Sequence, residues 1–326
     1  GKAFAIREDF GKAWNNLGFL HERRAFRYLA ENNKIEGEAS LAKAKECFEK
    51  AIKQDPNYTD ALLNKANILQ NTGSGQEAIP IALKVLNIAM KNLHEKENAF
   101  QALVDSKVQQ NSGKFNDAYT QKIIASQEYL GSAPKAIMML KIEYSKTKDY
   151  NAFLEVFEFE KKLLIQQLEI KNITYQTASR ELELAKSDPS SMRAGISIDQ
   201  LEKNNSVQKQ VFEQGETEYY QKMARLFIDM AEAYRSLGKN PESISTLEQV
   251  IELAKNSKSI SDQESIARVQ INALYLSTIN KELISKFPTI QENFDKATYQ
   301  GNPELNTFKK AWEQKFKDAK KMLNVE

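Results

Sequence analysis

The sequence predicts an all-α solenoid of stacked helical hairpins, and three observations predict it. Ala44, Phe48 and Ala51 are followed 34 positions later by Ala78, Ala82 and Val85, the offset of a repeated helical pair. Apolar residues recur at three- and four-residue spacing, most plainly near the C-terminus. The composition, 41% hydrophobic and 28% charged, suits a packed core under a wet surface. One hairpin cannot bury its apolar face alone, so neighbours stack and leave a groove that can hold another molecule. These observations imply a binding scaffold.

The first pair opens with Trp14, Leu17 and Gly18, a W-x2-L-G pattern, and closes with Ala44, Phe48, Ala51 and Pro56. The second is predicted from Ala61, Leu62, Ala66 and Leu69, a turn at Gly73, then Glu77, Ala78, Ala82 and Val85. Small residues at Ala66 and Ala78 let two helices approach closely. These residues resemble the tetratricopeptide repeat. Relative to that pattern, the segment from about Glu22 to Ser40 reads as an insertion that lengthens the first hairpin, and Lys65 stands where leucine is usual. Gly113, Phe115 and Ala118 predict a third turn and helix. Ala136, Ile137, Leu140 and Tyr144, then Tyr150, Phe153 and Phe157, predict a fourth pair whose turn lacks glycine. The best late match is Phe227, Met230, Ala231, Tyr234, Gly238, Leu247 and Val250. The resemblance implies a right-handed α-solenoid closed by a C-terminal capping helix.

Pro189, several serines, Gly195 and Asn204-Asn205 interrupt the helical rhythm and read as a loop or linker. The expected organisation is an N-terminal repeat block over 1–186, a linker over 187–209 and a C-terminal block with capping helices over 210–326. A capping-box signal, Ser261-x-x-Glu264, predicts a helix running to Pro288. After Pro303, Leu305, Phe308, Trp312, Phe316, Ala319 and Met322 predict a last amphipathic helix, with lysines on its other faces. A terminal unit with one polar face stops further stacking, so a cap explains this pattern more simply than membrane binding.

The sequence carries no recognisable catalytic constellation. Forty-six Lys+Arg against 44 Asp+Glu leave a net charge of +2, so no strong field draws nucleic acid or an anionic membrane. His21-Glu22 begins the H-E-x-x-H zinc pattern, but the fifth residue is Ala25. The only other histidine is His94, and the single Cys47 allows neither a thiolate cluster nor an internal disulfide. Phosphate-binding loops and nucleophile elbows are missing, and carboxylates such as Glu46 and Glu49 sit at helical spacing from Lys50 and Lys53. No apolar run approaches the roughly 18 residues of a membrane span. A non-enzyme without cofactor or metal is expected, in a reducing compartment such as the cytoplasm, with no nucleic acid and no membrane insertion. The sequence sets no oligomeric state. Gly1-Lys2 leads almost directly into helix, which reads as a fragment of a longer protein.

The resemblance implies that the first helix of each hairpin lines the concave surface. Its candidate contacts are Asn15, Phe19 and Arg23 in the first hairpin, Leu63, Asn67, Gln70 and Asn71 in the second, and Ile228, Glu232 and Arg235 in the late one. An asparagine amide both donates to and accepts from an extended peptide backbone. Arg23, Arg24 and Arg27 form the densest basic patch of the N-terminal half. Asn64 matches the central asparagine of the chaperone-binding subfamily that grips a C-terminal carboxylate. Asn15 and Phe19 replace the lysine and asparagine needed beside it, so that mode is not expected. The leading expectation is a scaffold that binds a protein or peptide in its groove. The alternative is a peptide-sensing regulatory module of a signalling or defence protein whose effector domain lies outside this chain.

Overall fold

The computed structural model describes residues 10–106, 113–188, 196–298 and 303–325, which form eleven α-helices and two short 3-10 turns with no strand among them. They divide into two compact units, Gly1–Leu163 and Leu164–Glu326. The division lies inside a helix, and residues 198–209 of the expected linker are helical. Residues 189–195 fall outside the described residues, and helix resumes at Ile198 behind a capping box in which Ser197 accepts from the Gln200 N–H and the Gln200 side chain accepts in return.

Unit 1 contains α1 (Phe10–Ala30), α2 (Lys34–Gln54), α3 (Thr59–Asn71), α4 (Gly75–Asp105), α5 (Gly113–Thr147) and the start of α6 (Tyr150–Ser187). Both halves of the first motif meet in the α1–α2 interface. A Cβ on Gly18 would lie 2.6 Å from the Phe48 ring, so the glycine is the space that the phenylalanine fills. Glu22–Ser40 lengthens both helices, with the turn at Asn32. Lys65 is accommodated by an ion pair to Glu49, 3.0 Å away on α2. The helix expected from Gly113 is α5, and it packs on the continuation of α4 instead of on a further helix of its own. Leu86, Ala89 and Leu93 on α4 continue the core with Ala125, Tyr129 and Ala133 on α5, which keeps each helix unbroken well past the length of a standard repeat. The fourth expected pair is real and uses α5 as its first helix.

Four of the turns share one geometry. At Gly73 and Gly238 the backbone is left-handed, φ 85° and 72°. The following N–H bonds to the carbonyl five residues back, Ser74 to Leu69 at 2.8 Å and Lys239 to Tyr234 at 2.9 Å. This Schellman closure also ends α1 at Asn32 and α5 at Lys148, φ 58° and 54°.

Unit 2 holds the rest of α6, α7 (Ile198–Ser236), α8 (Asn240–Ala254), α9 (Ser261–Tyr275), α10 (Phe287–Lys296) and α11 (Pro303–Met322). Residues of α6 and α7 pair antiparallel with coiled-coil spacing: Tyr175, Ala178, Leu182 and Ala185 against Ile198, Leu201, Asn205, Gln208 and Phe212. Tyr175 stacks on Phe212 at 5.8 Å, Ser179 donates to the Asn205 side-chain oxygen at 2.8 Å, and Lys186 pairs with Glu202 at 2.6 Å. The pair α7–α8 is the late hairpin, with Ala231, Leu247 and Val250 buried. The expected capping box at Ser261 does not form. Ile260 occupies the cap, and Glu264 turns to Arg268 at 2.6 Å. Nor does this helix reach Pro288: it ends at Tyr275, the Asn280 side chain caps a 3-10 turn by accepting from the Leu283 N–H, and Pro288 starts α10. A buried chain joins α9 to α10, with Arg268 donating to Asn293, Asn293 to Asn272 and Asn272 to the Ile290 carbonyl. The last helix buries Phe316 and Ala319 against α9 and α10 and turns lysines outward, as a cap does.

Candidate functional site

In unit 1 the inner face is shared by α1, α3 and α5, and its polar side chains are engaged with one another. Asn64 donates to Asn15 at 3.0 Å. Asn67 donates to the Glu22 carboxylate at 2.7 Å, and Asn71 to the Asn67 oxygen at 3.3 Å. Gln70 donates to Glu143 at 3.1 Å, and Lys146 to the same carboxylate at 2.7 Å. The amides expected to meet a ligand thus tie three helices together. Leu63 is a correction: 4% exposed, it lies in the core because α3 is packed between its neighbours. Asn15 is also buried, at 7%. Phe19 and Arg23 stand exposed at the edge of the face, the guanidinium 5.9 Å from the ring centre.

Two carboxylates that sequence reading did not single out as site residues hold this face. Glu22, 4% exposed, is pushed above the ordinary carboxylate range by burial, against the opposing pull of the Asn67 hydrogen bond and the Lys135 charge. Glu143 packs against Gly75, where a Cβ would collide with its carboxylate, and hydrogen bonds from Lys146 and Gln70 hold its pKa below the usual range. Glu22 carried a signal, since it is the single acid of α1 and sits among positions that face inward. Burial also raises the Cys47 thiol, leaving it an inert core residue. Among the described residues no group of His, Cys, Asp and Glu is placed to hold a metal ion.

Unit 2 presents an open cavity of about 490 Å³. Its walls come from Ala231, Glu232 and Arg235 on α7, Ser243 and Leu247 on α8, Gln270 and Leu274 on α9, and Phe308 and Trp312 on α11. Two of the late candidates are therefore at a site: Glu232 and Arg235 form an ion pair of 2.6 Å on its rim. Ile228 is half-buried and does not line it. Ser243 and Ser277 are spent on the carbonyls of Ala231 and Leu274, whereas the amides of Asn240 and Gln270 have no hydrogen-bond partner among the described residues. Lys315 sits 4.6 Å over the Trp312 ring. The sequence marked Phe308 and Trp312 as positions of a cap, and only the docking of α11 beside α9 makes them a wall. An apolar cavity with a few open amides takes up a side chain and fixes the backbone that carries it.

The class defined by this fold is the all-helical repeat protein. Two segments, residues 47–79 and 224–257, match the tetratricopeptide repeat family. The chain carries tetratricopeptide repeats, one match in each compact unit, and repeats of this family are protein-interaction scaffolds, generally without enzymatic activity. No curated protein matches the chain in sequence. No helix among the described residues is long and apolar enough to cross a membrane.

Proposed function

We propose that this chain is a non-catalytic scaffold that holds an extended segment of a partner protein, and that the cavity between α7, α9 and α11 receives a side chain of that segment. One observation carries the proposal: Trp312, Leu274 and Leu247 form an apolar cavity, while the amides of Gln270 and Asn240 beside it have no partner among the described residues. An apolar side chain leaves water in the cavity, and the amides donate to and accept from the flanking peptide bonds. The Glu232–Arg235 pair at the rim opens to a charged neighbour of that side chain. A right-handed stacking of hairpins and a reducing compartment such as the cytoplasm belong to the same reading. A photo-crosslinking residue at position 270, introduced in cells, tests it. The expected result is a covalent adduct to one segment of another protein, abolished by Trp312→Ala. Adducts no more specific than those from a crosslinker at exposed Ile35 would refute the cavity as the site. Generic ester and phosphoester substrates are expected to turn over at background.

A further inference from the structure

The exposed arc of α1, which begins at the edge of the inner face, is one-sidedly charged. Of the ionisable groups on Phe10–Ala30, Glu22 is the only acid, and it points inward to Asn67. The solvent-facing arc carries Arg23, Arg24 and Arg27, all exposed. Along one side of them stand Phe19, 45% exposed, and Phe26, 41% exposed, with Leu20 among the arginines at 63%. The two phenylalanines lie seven residues apart, two helical turns or about 10 Å along the axis, on one side of the helix. Arg23 lies between them and has no carboxylate partner among the described residues. Arg24 is held by two hydrogen bonds to the Tyr28 hydroxyl, at 3.1 and 2.8 Å, and feels the Glu36 charge of α2 without an ion pair to it. Arg27 reaches Glu31 only at 3.9 Å, both groups well exposed, a contact of little strength.

We propose that this face docks an acidic amphipathic helix of a protein partner, at a surface separate from the cavity of unit 2. The chemistry selects the occupant in two ways. Phenylalanines two turns apart match leucines at the same spacing on a facing helix, the pattern of helix-on-helix packing. Guanidinium forks beside them match aspartate or glutamate on one flank of that helix, where paired N–H donors grip one carboxylate. The geometry argues against two other anionic surfaces. Each ring is more than half covered by its neighbours, so neither can sink about 5–10 Å into a lipid headgroup layer. A net charge of +2 over 326 residues supplies no field beyond this patch to follow a phosphate backbone.

The test is selection of a displayed peptide library on the full chain at low salt, followed by affinity measurement of the enriched peptides. Enriched sequences are expected to place Leu, Ile or Phe at three- and four-residue spacing among Asp and Glu. Arg23→Glu/Arg27→Glu is expected to weaken them at least about tenfold. Added salt should weaken them in the wild type, and Trp312→Ala should leave them unchanged. Circular dichroism of the charge-reversed variant must match the wild type, and Phe19→Ala/Phe26→Ala serves as a second variant that keeps every charge. The proposal fails if no acidic sequence is enriched, if both double variants bind as the wild type does, or if Trp312→Ala abolishes binding. It also fails if phosphatidylserine vesicles or a short DNA duplex bind through the same arginines in place of the peptides.

Discussion

Glu22 shows how one buried side chain sets a measurable property. Its folded pKa is raised, chiefly by burial, so the folded chain favours the protonated acid more than the unfolded chain does. This contribution is fully present below the ordinary carboxylate pKa and is lost as pH rises through the raised folded value. Glu22→Gln keeps an oxygen to accept from Asn67 and removes the charge. It is expected to raise the melting temperature at neutral pH and to change it little near pH 4, a comparison that two thermal scans provide; a lower melting temperature at neutral pH would show the charge to be stabilising. Gly18 is the second informative residue. Its place in the W-x2-L-G pattern was legible, and the reason is the Phe48 ring that would sit 2.6 Å from any added Cβ. The fate of Asn67 was not legible, because whether an amide meets a ligand or a buried carboxylate depends on which residue the neighbouring helix brings opposite it.

At the scale of the helix and its turn, most boundaries follow from local chemistry. Gly73 and Gly238 end their helices in the left-handed region, which glycine enters without steric cost. Lys148 adopts the same conformation with a side chain, so the shape of the turn is dictated by the packing of α5 on α6 and not by its residue. Lys148→Gly is expected to stabilise the chain by about 0.5–1 kcal/mol, read from chemical denaturation. The α9–α10 contact depends on a relay. Removing its middle member with Asn293→Ala leaves an Arg268 donor and the Asn272 oxygen without their partner, and should cost about 2–4 kcal/mol of unit 2 stability. The α6–α7 seam escaped sequence reading because its inward positions include Asn205, Gln208 and Lys171. These polar residues break the apolar periodicity, and two of them bond across the seam, Asn205 with Ser179 and Lys171 with Glu218.

For the whole molecule, stability in a stacked-repeat architecture is a sum of local terms, since each hairpin touches only its neighbours. The two tryptophans report on different places, Trp14 on α1 and Trp312 on α11. In single-tryptophan variants, Gly18→Ala is expected to lower the denaturation midpoint seen by Trp14, costing about 1–3 kcal/mol, while the midpoint seen by Trp312 stays put. Equal shifts would mean that the chain unfolds as one cooperative body. By itself the sequence determined the helical class, the repeat pattern around Phe48 and Leu247, the glycine turns and the terminal cap, because these rest on spacing within one or two helices. Only the tertiary structure decided that the candidate amides of α3 bind α1 and α5, that Glu232 and Arg235 border a cavity walled by Trp312, and that the one acid of α1 turns inward while its arginines stay exposed. Those outcomes depend on which side chains distant segments bring within about 3–4 Å of each other, and spacing along one helix carries no record of that.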